Sequence, residues 1–369
     1  MNILKKLTSL AVSGFLLMQI VPLSAKAESD GSFSYTLKDD GTAEISCVNK
    51  SIRTADIPSE IGGYTVTSLA ENCFAECTSL KEVTIPETVT EFGKYAFYAC
   101  SSLEEIRIPA SVTQIGDYAF ETTESMLLFS VDENNPAYQS PDGVLYNKSG
   151  DTLIKYPEAK PDTEYSVLDV CRTVEDWAFI GAQHLEQIDL KQVQEIGTDV
   201  FYFCVSLKHI IIPEGVTELN GAVFSFCESL EDAVLPSTLK TIGDNCFYSC
   251  TSLKSVNLPE GLEKIGSYAF CHCTALTSLV IPESLTGMNI NCMGYLYDEE
   301  NDEYLVQDNF TLYVYKDSPA FRYAVTNQIN YEFIRTGTIY YILIAVVLVI
   351  IVILIIAIIK VLKNRRSES

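Results

Sequence analysis

Phenylalanine returns at a nearly constant interval through most of this chain, with mixed apolar and polar residues between. The successive members of the series are Phe74, Phe97, Phe120, Phe179, Phe201, Phe224, Phe247 and Phe270. Most intervals are 23 residues, one is 22, and a single interruption of 59 separates Phe120 from Phe179. A fixed period of this length is typical of a solenoid, whose repeats bury their apolar faces only against neighbouring repeats.

Each repeat has the same internal pattern, numbered here from its phenylalanine. Apolar residues stand at +6, +9 and +11, as Leu80, Val83 and Ile85 do after Phe74. Because side chains alternate along a strand, the apolar residues at +9 and +11 predict a short strand with those two side chains facing inward. A proline at +12 ends the strand. A glycine at −4, such as Gly93, predicts either a positive φ or a close approach of two backbones. We therefore expect short parallel strands stacked side by side, joined by irregular or helical returns.

The periodic repeats and the segments around them divide the chain into regions. Residues 28–56 contain two alternating runs around an Asp-Asp-Gly turn and predict an N-terminal β-hairpin cap. Residues 57–131 form a first block of repeats, 132–166 a hairpin insert, and 167–292 a second block. Residues 293–338 are predicted to form a C-terminal cap and a juxtamembrane segment, because a solenoid needs its open ends covered.

Both ends of the chain carry targeting patterns. A basic start, an apolar run and a small-x-small site predict a signal peptide over 1–27. Residues 339–359 are uncharged and long enough to cross a bilayer, so they predict one C-terminal transmembrane α-helix. The basic residues of 360–369 place that tail in the cytoplasm by the positive-inside rule, and residues 28–338 outside.

The charge of the chain excludes some partners. The whole sequence has 49 acidic against 25 basic residues, for a net charge of −24. The two ends, 1–27 and 339–369, hold several of the basic residues and almost none of the acidic ones. The part between them, 28–338, is therefore more acidic than the chain as a whole. Nucleic acid and anionic lipid surfaces both require clustered lysine and arginine, so neither is an expected partner.

Cysteine recurs at +3 and is interpreted as a structural ladder. The six members are Cys77, Cys100, Cys204, Cys227, Cys250 and Cys273. Thr123 and Ala182 fill the same position in the other two repeats, which indicates a small inward packing site where free cysteine behaves as a small hydrophobe. One or two disulfides between adjacent repeats, or a metal or redox role for Cys271-His272-Cys273, remain as alternatives.

The outward positions of the strands, +8 and +10, supply the candidate binding residues. They are His209, Ile211, Asp232, Val234 and Val280. Apolar groups among polar ones on an exposed face are a common mark of a protein interface. The alternative is that β-branched residues stand there only because they favour strands.

Two repeats, "TSLKEVTIPETVTEFGKYAFYAC" and "TSLKSVNLPEGLEKIGSYAFCHC", closely resemble the BspA-like leucine-rich repeat of bacterial surface proteins. The resemblance extends over roughly residues 33 to 334 and implies a leucine-rich repeat solenoid. It also implies an exported bacterial cell-surface protein, in a family associated with adhesion to host proteins and cells. It brings no catalytic residues.

The sequence therefore predicts a membrane-anchored protein, most simply a monomer, that recognises an extracellular or cell-surface protein. A structural spacer or scaffold within a surface complex is the alternative. No nucleophile–base pair, phosphate loop or zinc pattern is present in the sequence, so neither an enzyme nor a cofactor is expected. The acidic segment 297–309 lacks the spacing of a calcium loop and is interpreted as a solvated loop.

Overall fold

The computed structural model describes residues 31–298 and 300–334. The predicted signal peptide, the predicted transmembrane helix 339–359 and the basic tail 360–369 lie outside the described residues. Within the described part of the chain, no helix has both the length and the apolar character needed to span a bilayer.

The described residues form many short strands and one α-helix, α1 (Pro319–Thr326), with a 3-10 turn at Pro141–Gly143. In chain order the strands are β1 (Phe33–Leu37), β2 (Ala43–Cys47), β3 (Thr54–Asp56), β4 (Glu60–Ile61), β5 (Tyr64–Leu69), β6 (Glu82–Thr84), β7 (Glu91–Phe92), β8 (Glu105–Ile108), β9 (Gln114–Ile115), β10 (Leu128–Val131), β11 (Tyr138–Gln139), β12 (Leu145–Asn147), β13 (Thr152–Lys155), β14 (Glu164–Ser166), β15 (Thr173–Val174), β16 (Gln187–Asp189), β17 (Glu195–Ile196), β18 (His209–Ile211), β19 (Glu218–Leu219), β20 (Asp232–Val234), β21 (Thr241–Ile242), β22 (Ser255–Val256), β23 (Lys264–Ile265), β24 (Ser278–Val280), β25 (Gly287–Met288), β26 (Tyr295–Asp298), β27 (Glu303–Val306), β28 (Thr311–Val314) and β29 (Asn330–Phe333).

Each repeat forms one coil of the solenoid and contributes two strands. Each of these strands pairs in parallel with its equivalents in the neighbouring coils, so that two ladders of strands run along the solenoid. The predicted strand at +8 to +11 forms the first ladder, in which β14, β16, β18, β20 and β22 pair in that order. A second strand of only two residues lies just before the −4 glycine, and there β19, β21, β23 and β25 pair in register. The sequence pattern missed this second ladder because two residues are too few to show an alternation.

The repeat phenylalanines stack inside the solenoid. From Tyr156 to Phe270 the ring centroids follow one another at 5.0 to 5.3 Å. These rings are almost completely buried, and they contact the leucines at +6 and the apolar strand positions in one continuous core. The first block has its own cluster, in which Phe74, Phe97 and Phe120 stack in the same way. The predicted solenoid is thus the observed architecture.

The return segment is a regular series of turns rather than a helix. Residues at −2 and +2 have positive φ in every coil of the series, from Asn72 and Glu76 to Tyr268 and His272. In the second coil, the N–H groups of Tyr95, Phe97 and Ala99 donate to carbonyls of the next coil at 2.8 to 3.1 Å. The N–H groups between them bond within the turn. These bonds between coils offset the conformational cost of the left-handed residues.

The −4 glycines permit a close backbone approach rather than a positive φ. A Cβ on Gly93 would lie 2.6 Å from the carbonyl carbon of Ala70 in the preceding coil. At Gly243 the corresponding distance to Asn220 is also 2.6 Å. A Cβ on either glycine would therefore force the neighbouring coil to shift. The requirement is local, because Ala70, Glu175 and Asn220 hold the −4 position in other coils.

The predicted hairpin insert contains a concealed coil. β12 and β13 do form an antiparallel hairpin, but β13 also pairs in parallel with β15 of the following coil. Tyr156 takes the phenylalanine position: its N–H donates to the Ala178 carbonyl at 2.8 Å, as the N–H of Phe74 does to Ala96. β14 then pairs with β16 as an ordinary first-ladder strand. Residues from Tyr156 to Ser166 therefore belong to the solenoid.

Both ends of the stack are covered. At the N-terminal end, β1 and β2 form an antiparallel hairpin, and β2 continues in parallel with β5. At the other end, β26 and β27 form an antiparallel pair, and the exposed Glu300 and Asp302 lie in the turn between them. Helix α1 begins after Ser318, whose hydroxyl accepts the N–H of Phe321 at 3.1 Å. β29 then pairs with β28 and ends the first ladder.

Candidate functional site

The outward strand face of the second block is built by β18 and β20. These strands pair in parallel with His209 opposite Asp232 and Ile211 opposite Val234. Their middle residues, Ile210 and Ala233, point into the core, so the residues on either side must point outward. Ile211 is 50% exposed, and Val234 beside it is half-buried. The result is a small apolar surface on a rigid sheet.

Polar groups border this apolar pair. The Nδ1 atom of His209 lies 2.8 and 2.9 Å from the two carboxylate oxygens of Asp232. One residue earlier in each coil, ion pairs join neighbouring coils: Lys208 to Glu186 and Lys254 to Glu231, both at 2.7 Å. Each of these pairs is substantially exposed and therefore contributes little to stability. They do give the face an ordered polar rim.

Val280 does not join this apolar pair. Its strand, β24, pairs with β28 at the C-terminal end rather than with β22. Asn257 occupies the +10 position of the intervening coil, and its side-chain amide bonds the N–H and the carbonyl of Leu235 at 2.9 and 3.0 Å. Because the amide takes the place of a backbone ladder bond, β22 ends at Val256. The structure thus brings together four of the five candidate residues.

All six cysteines of the +3 series are buried and free. Five of them donate their S–H to the carbonyl oxygen of the repeat phenylalanine one coil earlier, at 3.0 to 3.2 Å; these are Cys100, Cys204, Cys227, Cys250 and Cys273. Burial raises the pKa of each of these thiols. They are hydrogen-bonded packing groups and remain protonated, so they are poor nucleophiles.

The Cys271-His272-Cys273 segment does not assemble a chemical site. Cys271 is buried, and burial raises its pKa to about 12. The Nδ1 atom of His272 accepts the N–H of Tyr297 from the C-terminal hairpin at 3.2 Å. Among the residues that the structure describes, no group of three or more His, Cys, Asp or Glu side chains could hold a metal ion.

The thiols of Cys47 and Cys77 form a pair that the sequence pattern did not predict. A hydrogen bond from the Cys77 thiol lowers the pKa of Cys47, at the end of cap strand β2, to about 7. The ammonium group of Lys50 is close and assists, while it donates to the carbonyls of Cys73 and Ala75. Cys47 lies outside the phenylalanine period, so no spacing rule connected it with Cys77.

A buried ionic cluster joins the first block to the concealed coil. The Nζ atom of Lys155 lies 3.3 Å from Glu121 and 3.5 Å from Glu158, and all three side chains are almost fully buried. Glu158 also accepts the N–H of Thr123 at 3.0 Å. Lys155 stands at the −1 position, where most other coils have alanine or cysteine. Burial outweighs the lysine and raises the pKa of Glu121 to about 7.

The comparisons with known proteins agree with this architecture. Residues 46–149 and 172–297 match the family model described as BspA type Leucine rich repeat region, in six copies. This chain belongs to that family. The residues left unmatched between the two ranges include most of the concealed coil, where tyrosine and lysine replace the phenylalanine and alanine of the repeat.

No curated protein matches the chain. Among solved structures, the pneumococcal vaccine antigen PcpA is 16% identical, with a TM-score of 0.60 over 85% of this chain and 99% of that one. A leucine-rich repeat protein from Eubacterium ventriosum is 24% identical, with a TM-score of 0.50 over 71% of this chain and 92% of that one. These two likenesses show the fold. A leucine rich cell surface protein from Faecalibacterium prausnitzii is 23% identical, with a TM-score of 0.49 over 73% and 95% of the two chains.

Proposed function

We propose that this chain is a membrane-anchored bacterial surface protein that recognises or adheres to an extracellular protein through the outward strand face of its second block. The exposure of Ile211 beside Val234 on a rigid sheet is the observation that carries this proposal. Membership of the BspA-type family supports it, as do the signal and membrane segments predicted from the sequence.

The face has the composition of a recognition surface. Interfaces commonly have an apolar centre within a polar, partly wet rim, and their energy is concentrated in a few central side chains. Here Ile211 and Val234 are the centre, while the His209–Asp232 pair and the two lysine–glutamate pairs form the rim. Since the strands are held on both sides by other coils, the face loses little conformational freedom on binding.

The double variant Ile211→Glu with Val234→Glu tests this proposal in a pull-down of host extracellular matrix and bacterial surface fractions with the purified full-length protein. Binding of the partner is expected to be lost while the thermal unfolding temperature stays within a few degrees. The matched control is Thr54→Glu with Thr84→Glu, which adds two carboxylates to exposed positions of the paired strands β3 and β6, far along the chain from β18 and β20. If partner binding survives the first variant, this face is not the recognition site.

A further inference from the structure

A second surface on the return side of the solenoid carries a row of aromatic rings. Its members, the outer aromatic row, are Tyr95, Tyr98, Tyr118, Trp177, Tyr202, Phe203, Phe226 and Tyr248. Each ring centroid lies within 6.2 Å of another member, and all eight side chains are partly exposed. The row occupies the −2, +1 and +2 positions, and it runs without a break from the first block across the concealed coil into the second.

Tyr118 also lines a groove beside the second ladder. This acidic groove has a volume of about 610 Å³. Its walls come from the Phe120 coil, before the concealed coil, and from the three coils after it. The carboxylates that line it are Asp117, Glu175, Asp176, Glu195 and Glu218, and no lining residue is a lysine or arginine. The volume falls within the roughly 300–1,000 Å³ typical of ligand sites.

The acidic groups repel one another. Burial, together with Asp117 and Asp176, raises the pKa of Glu175. Burial and Asp176 likewise raise the pKa of Asp199, next to the groove, to about 6. A positive charge placed between these groups would relieve that repulsion, since opposite charges favour the ionised carboxylates.

The rings at the start of the row already attract a cation. The Nζ atom of Lys94 lies 5.1 Å from the ring centroid of Tyr95 and 5.2 Å from that of Tyr118. The faces of aromatic rings are negative, so ammonium and guanidinium groups are bound there. Carboxylates and ring faces on one continuous surface therefore select the same ligand chemistry.

We propose that the acidic groove and the outer aromatic row together bind a lysine- or arginine-bearing segment of a second protein. The basic groups enter the groove between the carboxylates of Glu175, Asp176, Glu195 and Glu218. The apolar stems of the same side chains, and the rest of the segment, lie along the rings from Tyr118 to Tyr202. This surface is separate from the strand face and does not depend on the partner proposed for it.

The test measures the binding of fluorescein-labelled octa-arginine and octa-lysine to the full-length protein by fluorescence anisotropy. Glu195→Gln with Glu218→Gln removes two exposed groove carboxylates on β17 and β19. The matched control, Asp56→Asn with Glu82→Gln, removes two exposed carboxylates from β3 and β6. The groove variant is expected to raise Kd at least about tenfold and the control less than about twofold. Equal effects of the two variants would show diffuse charge attraction and overturn the proposal.

A second pair of variants tests the rings. Tyr118→Leu is expected to weaken octa-arginine binding about threefold to tenfold, because it removes the ring shared by the row and the groove. Tyr304→Leu changes an exposed ring outside the row and should leave Kd unchanged. If Tyr118→Leu binds as the parent protein does, the row takes no part. If CaCl₂ displaces the peptide far better than NaCl at equal ionic strength, the groove is a divalent-cation site and the proposal fails.

Discussion

The thiol of Cys250 donates a hydrogen bond of 3.1 Å to the carbonyl oxygen of Phe224 in the preceding coil. That carbonyl already accepts the N–H of Cys227 at 3.1 Å within its own coil. A cysteine at +3 therefore connects two coils as well as filling space. The spacing indicated a small inward side chain, but a sequence pattern does not show which acceptor a buried thiol meets.

Cys250→Ala is expected to lower the free energy of unfolding by about 1–3 kcal/mol, since it opens a small void and removes the S–H donor. Cys250→Val is the comparison variant, because its somewhat larger apolar side chain leaves no void and lacks the donor. Urea unfolding followed by circular dichroism compares the two. If the valine variant is as stable as the parent, the hydrogen bond contributes nothing and the position is governed by packing alone.

Cys47 is expected to be the first thiol alkylated in the native protein: it is buried, but at 4% exposed it is more accessible than the other cysteines, which are at most 1% exposed. The hydrogen bond from Cys77 lowers the pKa of Cys47 to about 7, whereas burial raises the pKa of the ladder thiol Cys204 to about 12. Brief iodoacetamide treatment at pH 8, followed by peptide mass spectrometry, should label Cys47 well ahead of the ladder cysteines. Cys77→Ala removes the donor and should slow that labelling. Faster labelling of Cys271 than of Cys47 would contradict this assignment.

The regular part of the fold could be predicted from the sequence, because a constant repeat length implies one repeated geometry. Alternation at +9 and +11 predicted the first ladder, and the recurrence of Phe247 and its equivalents predicted the stacked core. The left-handed conformation at −2 and +2 could not be predicted, because side chains as different as those of Trp177, Asp199 and Phe203 stand at these positions. Their conformation is imposed by hydrogen bonds between coils, which no single residue type reports.

The −4 glycine gives a sharp test of coil spacing. Gly243→Ala would place a Cβ 2.6 Å from the backbone of Asn220, so it is expected to destabilise the protein by about 1–3 kcal/mol or more. Gly221→Ala is the matched control, since its Cβ would meet its nearest neighbour, the Asp244 carbonyl oxygen, at an ordinary 3.6 Å. The control should be neutral or slightly stabilising. Equal losses in thermal unfolding would mean that backbone approach does not explain the glycine.

Only part of the candidate site could be predicted from the sequence. Strand alternation correctly placed Ile211 and Val234 on neighbouring strands and facing outward. It could not show that Asn257 closes the ladder with its own amide and leaves Val280 in another sheet. The phenylalanine period missed the concealed coil for a different reason. Tyr156 and Lys155 stand there in place of the phenylalanine and alanine of the repeat, although the backbone keeps the shape of a coil. A search for any aromatic residue 23 positions before Phe179 would have found it.

Lys155→Met should be among the most destabilising single changes in the chain. It leaves the carboxylates of Glu121 and Glu158 buried without their cation, at an expected cost of about 3–5 kcal/mol. Adding Glu121→Gln and Glu158→Gln to Lys155→Met should recover most of that loss, because the buried charges are then gone. Thermal unfolding of the single and triple variants makes the comparison. A triple variant no more stable than the single one would show that packing, and not charge, sets the requirement for lysine.

The titration of Glu121 predicts a pH dependence with a definite sign. Burial raises the pKa of this carboxyl from 4.5 to about 7, so between those values the folded chain holds a proton that the unfolded chain has released. Stability from this group is therefore complete below about pH 4.5 and is lost as the pH rises to about 7, by an amount on the order of 2–4 kcal/mol. Burial also raises the pKa of Glu158, which acts in the same direction.

Glu121→Gln isolates this contribution, because the amide resembles the protonated acid and does not titrate. The variant should match the parent near pH 4.5 and become progressively more stable than the parent toward pH 7.5, as measured by urea unfolding at four pH values. Glu82→Gln, at an exposed strand position, is the control and should show a constant difference. A constant difference for Glu121→Gln as well would mean that Lys155 keeps the buried carboxylate ionised throughout.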